Sequence, residues 1–421
     1  MAQHATRVFS ALSWRIRRPW DWARYRATRL PVTPLVGPAK PMPTVGLFRD
    51  IPVVAQVHAY NHSVPGEANC MASGPVYPEG QTEPWMRHCI YQSAHDVVPA
   101  RPDGPMERIS RPSVWLGYMH MQFGHLVTEH LTRALWSRTS RPDDLYLFVL
   151  APGTRLGWPH YHFLDLLAWY GLPMAQLRQV TKPVLVSELR VYPQSELLMG
   201  AGPAGEYLDL LDRHVAASGL KPRKSDLLFV TRAGMLARRT GSHAGENLLR
   251  DILKQSWVTV IDPTDMPLRD QLSAYAGAAK IVFSEGSALH GRQLLGRLDQ
   301  DLIVLNRRVG AQTGVSALAP RARSLTYIEA SRSLAIPLAP WGEPRTGDAL
   351  SFYDLDVVFD CFDKLGVSLR SRWDSHAYTR AVESDINLWV RQLATAGRGY
   401  DPATLEALAQ TAWAKAGGNG K

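Results

Sequence analysis

The stretches Leu227-Leu228-Phe229-Val230-Thr231-Arg232 and Lys280-Ile281-Val282-Phe283-Ser284-Glu285-Gly286-Ser287-Ala288-Leu289-His290 decide the reading of this chain. Each is a short apolar run that ends abruptly in small or polar residues. Between them come a basic loop with Arg238 and Arg239, a helical run over Glu246–Gln255, a strand over Trp257–Ile261 and a helical run over Pro267–Ala276. Continuous apolar strands alternating with helices predict a parallel sheet covered on both faces. Ligands of such sheets sit at the carboxyl ends of the strands. Two of those ends carry chemistry here. One is Arg232. The other is the turn Ser284–Ser287, which opens into a helix whose free N–H groups and positive dipole end suit an anion. Together they describe a site for a phosphorylated ligand.

Working outward, Ser113–Tyr118, Leu145–Leu150 and Val184–Tyr192 read as strands. Phe123–Ser137, His160–Tyr170 and Glu206–Ser218 read as helices, the last with Leu208, Leu211 and Val215 inward. Gly219, Pro222, Arg223 and Lys224 mark a link between domains. Beyond the central stretch, Leu302–Leu305 and Leu325–Ile328 add strands, Ala339–Asp348 is a Pro/Gly-rich loop, and Asp354–Ala416 reads as helices expected to pack back on the first domain. Upstream, Pro31–Pro43 is a proline-rich linker or extended arm. The predicted division is an arm and linker over 1–50, an α/β domain over 51–220, a second α/β domain over 221–340 and C-terminal helices over 341–421.

A length of 421 residues suggests two or three domains, and 45% hydrophobic residues with 13 Trp are ample for their cores. The net charge of +9 favours anionic partners: nucleotide diphosphates, acidic glycans, lipid headgroups or nucleic acid. The basic residues are scattered or N-terminal and no aromatic RNA-binding motif occurs, so nucleic acid is not expected. Cys70, Cys89 and Cys361 form no Cys-x-x-Cys pair, which signals neither zinc nor a disulfide framework and fits a reducing compartment. No apolar run approaches the ~20 residues that span a bilayer. Arg15, Arg17 and Arg18 lead into Pro19 rather than an apolar core, unlike a secretory signal. The expected location is cytoplasmic. Trp14, Trp20, Trp22 and Tyr25 interleave with Arg24, Arg26 and Arg29, which suits an anionic lipid surface on the inner face of a membrane. The two residue classes do not segregate on a helix, and a poorly ordered tail explains them equally.

Each candidate site residue also has a plain reading. Arg232 can bind phosphate through its guanidinium or pair with a surface carboxylate. Arg238 and Arg239 are adjacent and cannot both point the same way. Gly286 lets the backbone approach a ligand, and Ser287 can cap a helix or donate to phosphate. Glu285 is acceptor-only when ionised and suits ribose or sugar hydroxyls. An ordinary N-cap explains Ser287 but leaves Glu285 and His290 without a role. The Gly-x-Ser-x-Gly order of a hydrolase elbow is missing. His125 and Glu129 are four apart and share a helical face, so the carboxylate can orient the imidazole and either can act as a base. His120, His125 and His130 are five apart and are not expected on one face. No His-Glu-x-x-His order occurs either, so no metal is predicted. His160-Tyr161-His162 follows Pro159 at a helix start, where capping is the default. Asp354-Leu355-Asp356 imitates a metal-binding Asp-x-Asp but opens a helical run, so it reads as acidic capping. Asp143-Asp144 reads as a turn.

Taken in order, Thr231-Arg232, Arg239, Gln271 and Gly286-Ser287-Ala288-Leu289 resemble the motifs of glycosyltransferase family 61. Upstream, Phe123-Gly124-His125 with Glu129 and Arg133 resembles the family's aromatic/Gly-His motif. The resemblance runs from Ser113 to Asn306. Two positions depart from it: Glu246-Asn247 reverses the family's Asn-Glu, and Glu285 stands where the family has histidine. The resemblance implies an α/β fold of two Rossmann-like parallel-sheet domains facing across a cleft (GT-B type), with C-terminal helices. It implies metal-independent transfer from a nucleotide-sugar donor, without a cofactor, to a glycan or lipid-linked acceptor of cell-surface polysaccharide synthesis. The donor would lie at Arg232, Arg239, Ser284, Glu285, Gly286, Ser287 and His290. His125 would be the base, with Glu129 as orienter or alternative base. A dinucleotide-dependent oxidoreductase is disfavoured by the missing Gly-x-Gly-x-x-Gly. A non-catalytic nucleotide-binding protein on the same fold, and a basic nucleic-acid-binding protein, are the alternatives.

Overall fold

A computed structural model describes residues 43–55, 73–78, 89–90, 93–94, 101–150, 161–196, 202–340 and 342–418. The expectations for Trp14–Arg29, for Cys70 and for His160 lie outside the described residues. The chain divides into two compact units. One comprises residues 1–221 with 290–297 and 314–321, the other 222–289, 298–313 and 322–421. Both are mixed α/β structures built on sheets with parallel strands.

The first unit holds a seven-stranded sheet. Its order is Gly74–Pro75, Gly46–Val54, Val184–Val191, Ser113–Met119, Leu145–Leu150 and Leu177–Gln179, with Glu107–Ile109 also pairing with Val184–Val191. The strands from Val184–Val191 to Leu177–Gln179 are parallel, whereas Gly46–Val54 runs antiparallel to both its neighbours. The sheet is therefore mixed, not purely parallel as expected. In Gly46–Val54 exposed Leu47, Arg49 and Asp50 interrupt buried Phe48 and Ile51. Such a half-covered strand belongs near an edge, where parallel cores commonly carry an antiparallel strand. Trp115, Tyr118, Leu147, Val186 and Leu189 fill the core beside it.

In the second unit a five-stranded sheet is parallel throughout, in the order Thr259–Ile261, Ser225–Val230, Ala278–Ser284, Asp301–Leu305 and Ser324–Ile328. Counted along the chain the order is 2-1-3-4-5, a doubly wound sheet. Leu227 to Val230 and Ile281 to Phe283 are all buried, which is why these strands carry no polar alternation. Leu227, Phe229 and Val282 pack with Leu249 and Leu253 of the helix Glu246–Lys254 and with Val358 and Phe362 of the helix Leu355–Lys364. Each such side chain contributes about 1.5–3 kcal/mol on burial.

A smaller sheet of His243–Ala244, Leu350–Tyr353 and Ser331–Ala335 completes this unit. The helices Ser375–Ala394 and Pro402–Lys415 pack here, with Val382, Ile386, Trp389 and Trp413 against Phe352 and Leu350. The C-terminal helices are thus part of the second unit. Their apolar residues fall on one helical face, and this sheet covers it. Two further details differ from the sequence reading. The basic loop contains a 3-10 helix, Ala233–Arg238, and the run after the second turn is a 3-10 helix, Ser287–Leu294. Gly291 within that run weakens an α-helix. Asp354 caps the helix Leu355–Lys364 as read, accepting from Val357 N. Among the described residues no helix is long and apolar enough to cross a membrane.

Candidate functional site

In a 2-1-3-4-5 sheet the chain winds to opposite sides from its first and third strands, which opens a crevice at their carboxyl ends. These ends are Thr231-Arg232 and Ser284–Ser287. Glu246, the first residue of its helix, joins them. Its buried carboxylate accepts from Thr231 Oγ1 at 2.6 Å, Arg232 N at 2.7 Å and Ser284 Oγ at 3.0 Å. Burial raises its pKa, and these hydrogen bonds counteract the rise. The residue before it, Gly245, has a positive φ of 75°, and a Cβ there would meet the Tyr378 ring. Glycine lets the helix that Glu246 opens begin close against Tyr378 and Val382 of the helix Ser375–Ala394.

Arg232 is buried at the strand end. Its Nε donates to Gly241 O at 2.8 Å and its Nη2 to Thr240 Oγ1 at 2.9 Å. Burial lowers its pKa, while the charges of Glu246 and Glu285 support the cation. Its Nη1 lies against Gly286, where a Cβ would stand 2.1 Å from it. The close approach that Gly286 allows is thus to the Arg232 guanidinium. His243 is buried nearby, stacked on Tyr353 at 4.1 Å, with Nδ1 at 2.7 Å from Ser351 Oγ. Burial first, then the charges of Arg307 and Arg232, push its pKa well below the ordinary value, so it is neutral.

Glu285 departs from its expected role. It is buried, and its oxygens accept from Arg307 N at 2.9 Å, Arg308 N at 2.8 Å and Arg308 Nε at 2.7 Å, with Arg308 Nη2 as a further donor. Those bonds occupy its lone pairs, so it holds the loop after Asp301–Leu305 rather than offering an acceptor to a sugar. Burial would raise its pKa, but Arg308 and Arg307 outweigh that and hold it below the usual value. Arg307 is buried on the carbonyls of Thr346 and Ala349, and burial with the neighbouring Arg232 charge brings its pKa down to about 9.

The first unit carries the second candidate group. The segment from Phe123 is helical but interrupted: α over Phe123–His125, a π-turn over Leu126–His130, and α over Ala134–Ser140. Leu131 N donates five residues back to Leu126 O at 2.9 Å. The displaced Glu129 carbonyl is taken up by Gln194 Nε2 at 2.7 Å and Thr132 Oγ1 at 3.1 Å. His125 Nδ1 lies 2.6 Å from Glu129 Oε2, with the Glu129 side chain 0% and the His125 side chain 24% exposed. The imidazole is therefore held by a buried carboxylate while part of it faces solvent. The π-turn also corrects the reading of the histidine row. The turn brings His130 round to His125, with their rings 6.2 Å apart, and His120, in the loop before the helix, places its ring 5.5 Å from His125. Among the described residues no group of three His, Cys, Asp or Glu is placed to hold a metal ion. His162 Nε2–H donates to Met121 O at 2.9 Å, fastening the loop before this segment.

Of the sequence-predicted donor set, Arg232, Ser284, Glu285 and Gly286 come together. Ser287 is half-buried beside them. Arg239 is exposed and left-handed, with φ 62°, at the end of the 3-10 helix, and the neighbouring Arg238 donates to Thr264 O. His290 is buried and belongs to the first unit. Gln271 spans the carbonyls of Pro263 and Met266 at 3.1 and 2.9 Å, a turn-closing role. Sequence reasoning passed over Glu246 as a carboxylate and over Arg307 and Arg308. The signal for the arginines was present: they follow the apolar strand Asp301–Leu305, as Arg232 follows its own strand.

The model of one protein family, described as Glycosyltransferase 61, matches residues 123–292. That span contains the His125–Glu129 pair and both strand ends, and it lies inside the stretch on which the motif resemblance rests. No curated protein matches the chain.

Proposed function

We propose that this chain, a glycosyltransferase of family 61 by that match, is an inverting, metal-independent enzyme of the two-domain GT-B class. It moves a sugar from a nucleotide-sugar donor to a glycan or lipid-linked acceptor. The observation that carries the reading is the meeting of Arg232, Gly286 and the Glu285-held arginines at the switch point of the doubly wound sheet. In this mechanism the acceptor hydroxyl attacks the anomeric carbon. The bond from that carbon to the diphosphate oxygen breaks, its electrons leave with the diphosphate, and the configuration inverts. Arginines fixed before the reaction stabilise the departing charge, and removing one such donor costs roughly 2.7–4 kcal/mol. Glu129 orients the His125 ring through Nδ1, and the imidazole is the proposed acceptor of the proton. Arg239, Ser287 and His290 remain proposed donor contacts.

Cell-surface polysaccharide synthesis at the inner face of a membrane, with residues 14–29 on anionic lipid, completes the proposal. One observation favours a second reading, a nucleotide-binding protein without catalysis: Glu285 and Ser284 spend their polar groups inside the protein. Turnover separates the two. A panel of nucleoside diphosphates in thermal-shift assays identifies the nucleotide, since a ligand of the native state raises the melting temperature. Binding should survive chelator. With the matching nucleotide sugar, His125→Ala and Glu129→Gln should each lose about 10²–10⁴-fold in turnover with donor affinity intact. Near wild-type turnover in both removes the pair from the mechanism.

A further inference from the structure

Arg232 and Arg308 are built alike. Each reaches the same crevice from a strand end, and each has its guanidinium fixed along one edge. Arg232 Nε and Nη2 are held by Gly241 O and Thr240 Oγ1. Arg308 Nε and Nη2 are held by Glu285, and Nη2 also donates to Thr313 Oγ1 at 3.1 Å. Neither Nη1 has a hydrogen-bond partner among the described residues. The Arg308 side chain is 33% exposed, while Glu285 beneath it is 1% exposed. Its loop is held as well: Asn306 Nδ2 donates to Glu329 Oε1 and Ala311 O, both at 2.8 Å, and Gly310 N donates to Glu329. Three arginines, at 232, 307 and 308, thus gather around two carboxylates, Glu246 and Glu285. Arg307 spends its Nη groups on backbone carbonyls, which leaves the other two to face a ligand.

We propose that Arg308 and Arg232 form a two-armed clamp for the diphosphate of the donor, one Nη1 to each phosphoryl group, with Glu285 as the residue that positions Arg308. This rests on the donor-site reading above. The clamp is preorganised: each arginine has already lost its side-chain freedom to the protein, so little is spent on binding. Two separated cationic arms match two linked phosphoryl groups better than one.

The test uses the full chain and inorganic pyrophosphate against inorganic phosphate, followed by calorimetric titration, so that no base or sugar need be known. The wild type should prefer pyrophosphate by tenfold or more. Arg232→Gln and Arg308→Lys should both abolish that preference. The lysine keeps a cation beside Glu285, so the fold survives, but its compact ammonium lacks the planar fork that binds Glu285 along one edge and holds Nη1 out toward a phosphoryl group. Glu285→Gln should weaken the preference with Arg308 still present. If Arg232→Gln loses the preference and Arg308→Lys retains it, the clamp is overturned and the donor-site reading stands. If neither variant matters, or the wild type does not discriminate, both are overturned.

Discussion

Replacing Gly286 with alanine tests whether the site is organised around a buried arginine. The new Cβ would lie 2.1 Å from Arg232 Nη1, 3.0 Å from Cζ and 3.3 Å from Cδ. Ordinary contact needs about 3.5–4.0 Å, so the guanidinium must retreat by more than ~1 Å. It is not free to do so, because Nε and Nη2 are bound at 2.8 and 2.9 Å to Gly241 O and Thr240 Oγ1. Hydrogen bonds to charged groups are worth about 1.5–3 kcal/mol each. Weakening both predicts a loss of about 2–4 kcal/mol in unfolding free energy. The decisive assay is a double-mutant cycle by urea denaturation with Arg232→Ala. In the Arg232→Ala background the Cβ enters vacated space, so Gly286→Ala should cost little, giving a coupling energy of about 2 kcal/mol or more. Effects that add within about 0.5 kcal/mol would refute the reasoning, because the glycine would then serve its own backbone and not the arginine.

Glu246→Gln places an amide N–H₂ among donors from Thr231, Arg232 and Ser284, and should lower stability by about 2–3 kcal/mol; an unchanged denaturation midpoint contradicts the strand-bridging role. Asp385 accepts from Gly245 N, and burial raises its pKa from 3.8 to about 6. The folded state therefore binds this proton more tightly than the unfolded state. Its stabilising contribution is full below about pH 4 and is lost as pH rises through about 6, a difference on the order of 2–3 kcal/mol. Asp385→Asn should thus gain on the wild type between pH 4.5 and 7.5, and a pH-independent difference between the two would count against it. Deleting residues 1–30 should reduce sedimentation with anionic vesicles, and salt should do the same to the full chain; equal sedimentation of the two forms favours a tail without affinity for lipid.

The strands of the second sheet were legible because their signal is local. Leu227–Val230 and Ile281–Phe283 are buried on both faces, so the apolar residues run without interruption. The His125–Glu129 contact was legible for a similar reason, since four residues is one helical turn. The nearness of His130 to His125 was not legible because a π-turn changes the period. Gln194, 65 residues away in sequence, donates through Nε2–H to the Glu129 carbonyl within that turn. The mixed sheet of the first unit was hidden in the same way, because the neighbours of Gly46–Val54 are set by Val184–Val191.

What the sequence determined by itself is therefore the short-range content: which runs become strands, where they end, and that arginine and small residues stand at those ends. The tertiary structure alone decided what those residues do. The order 2-1-3-4-5 is a matter of long-range pairing, and it places Arg232 and Ser284 on neighbouring strands. Glu285 read as a ligand for sugar hydroxyls because its partners, Arg307 and Arg308, lie 22 and 23 residues further on. A buried carboxylate takes its role from whichever donors the fold brings to it, since leaving it unpaired would cost several kcal/mol.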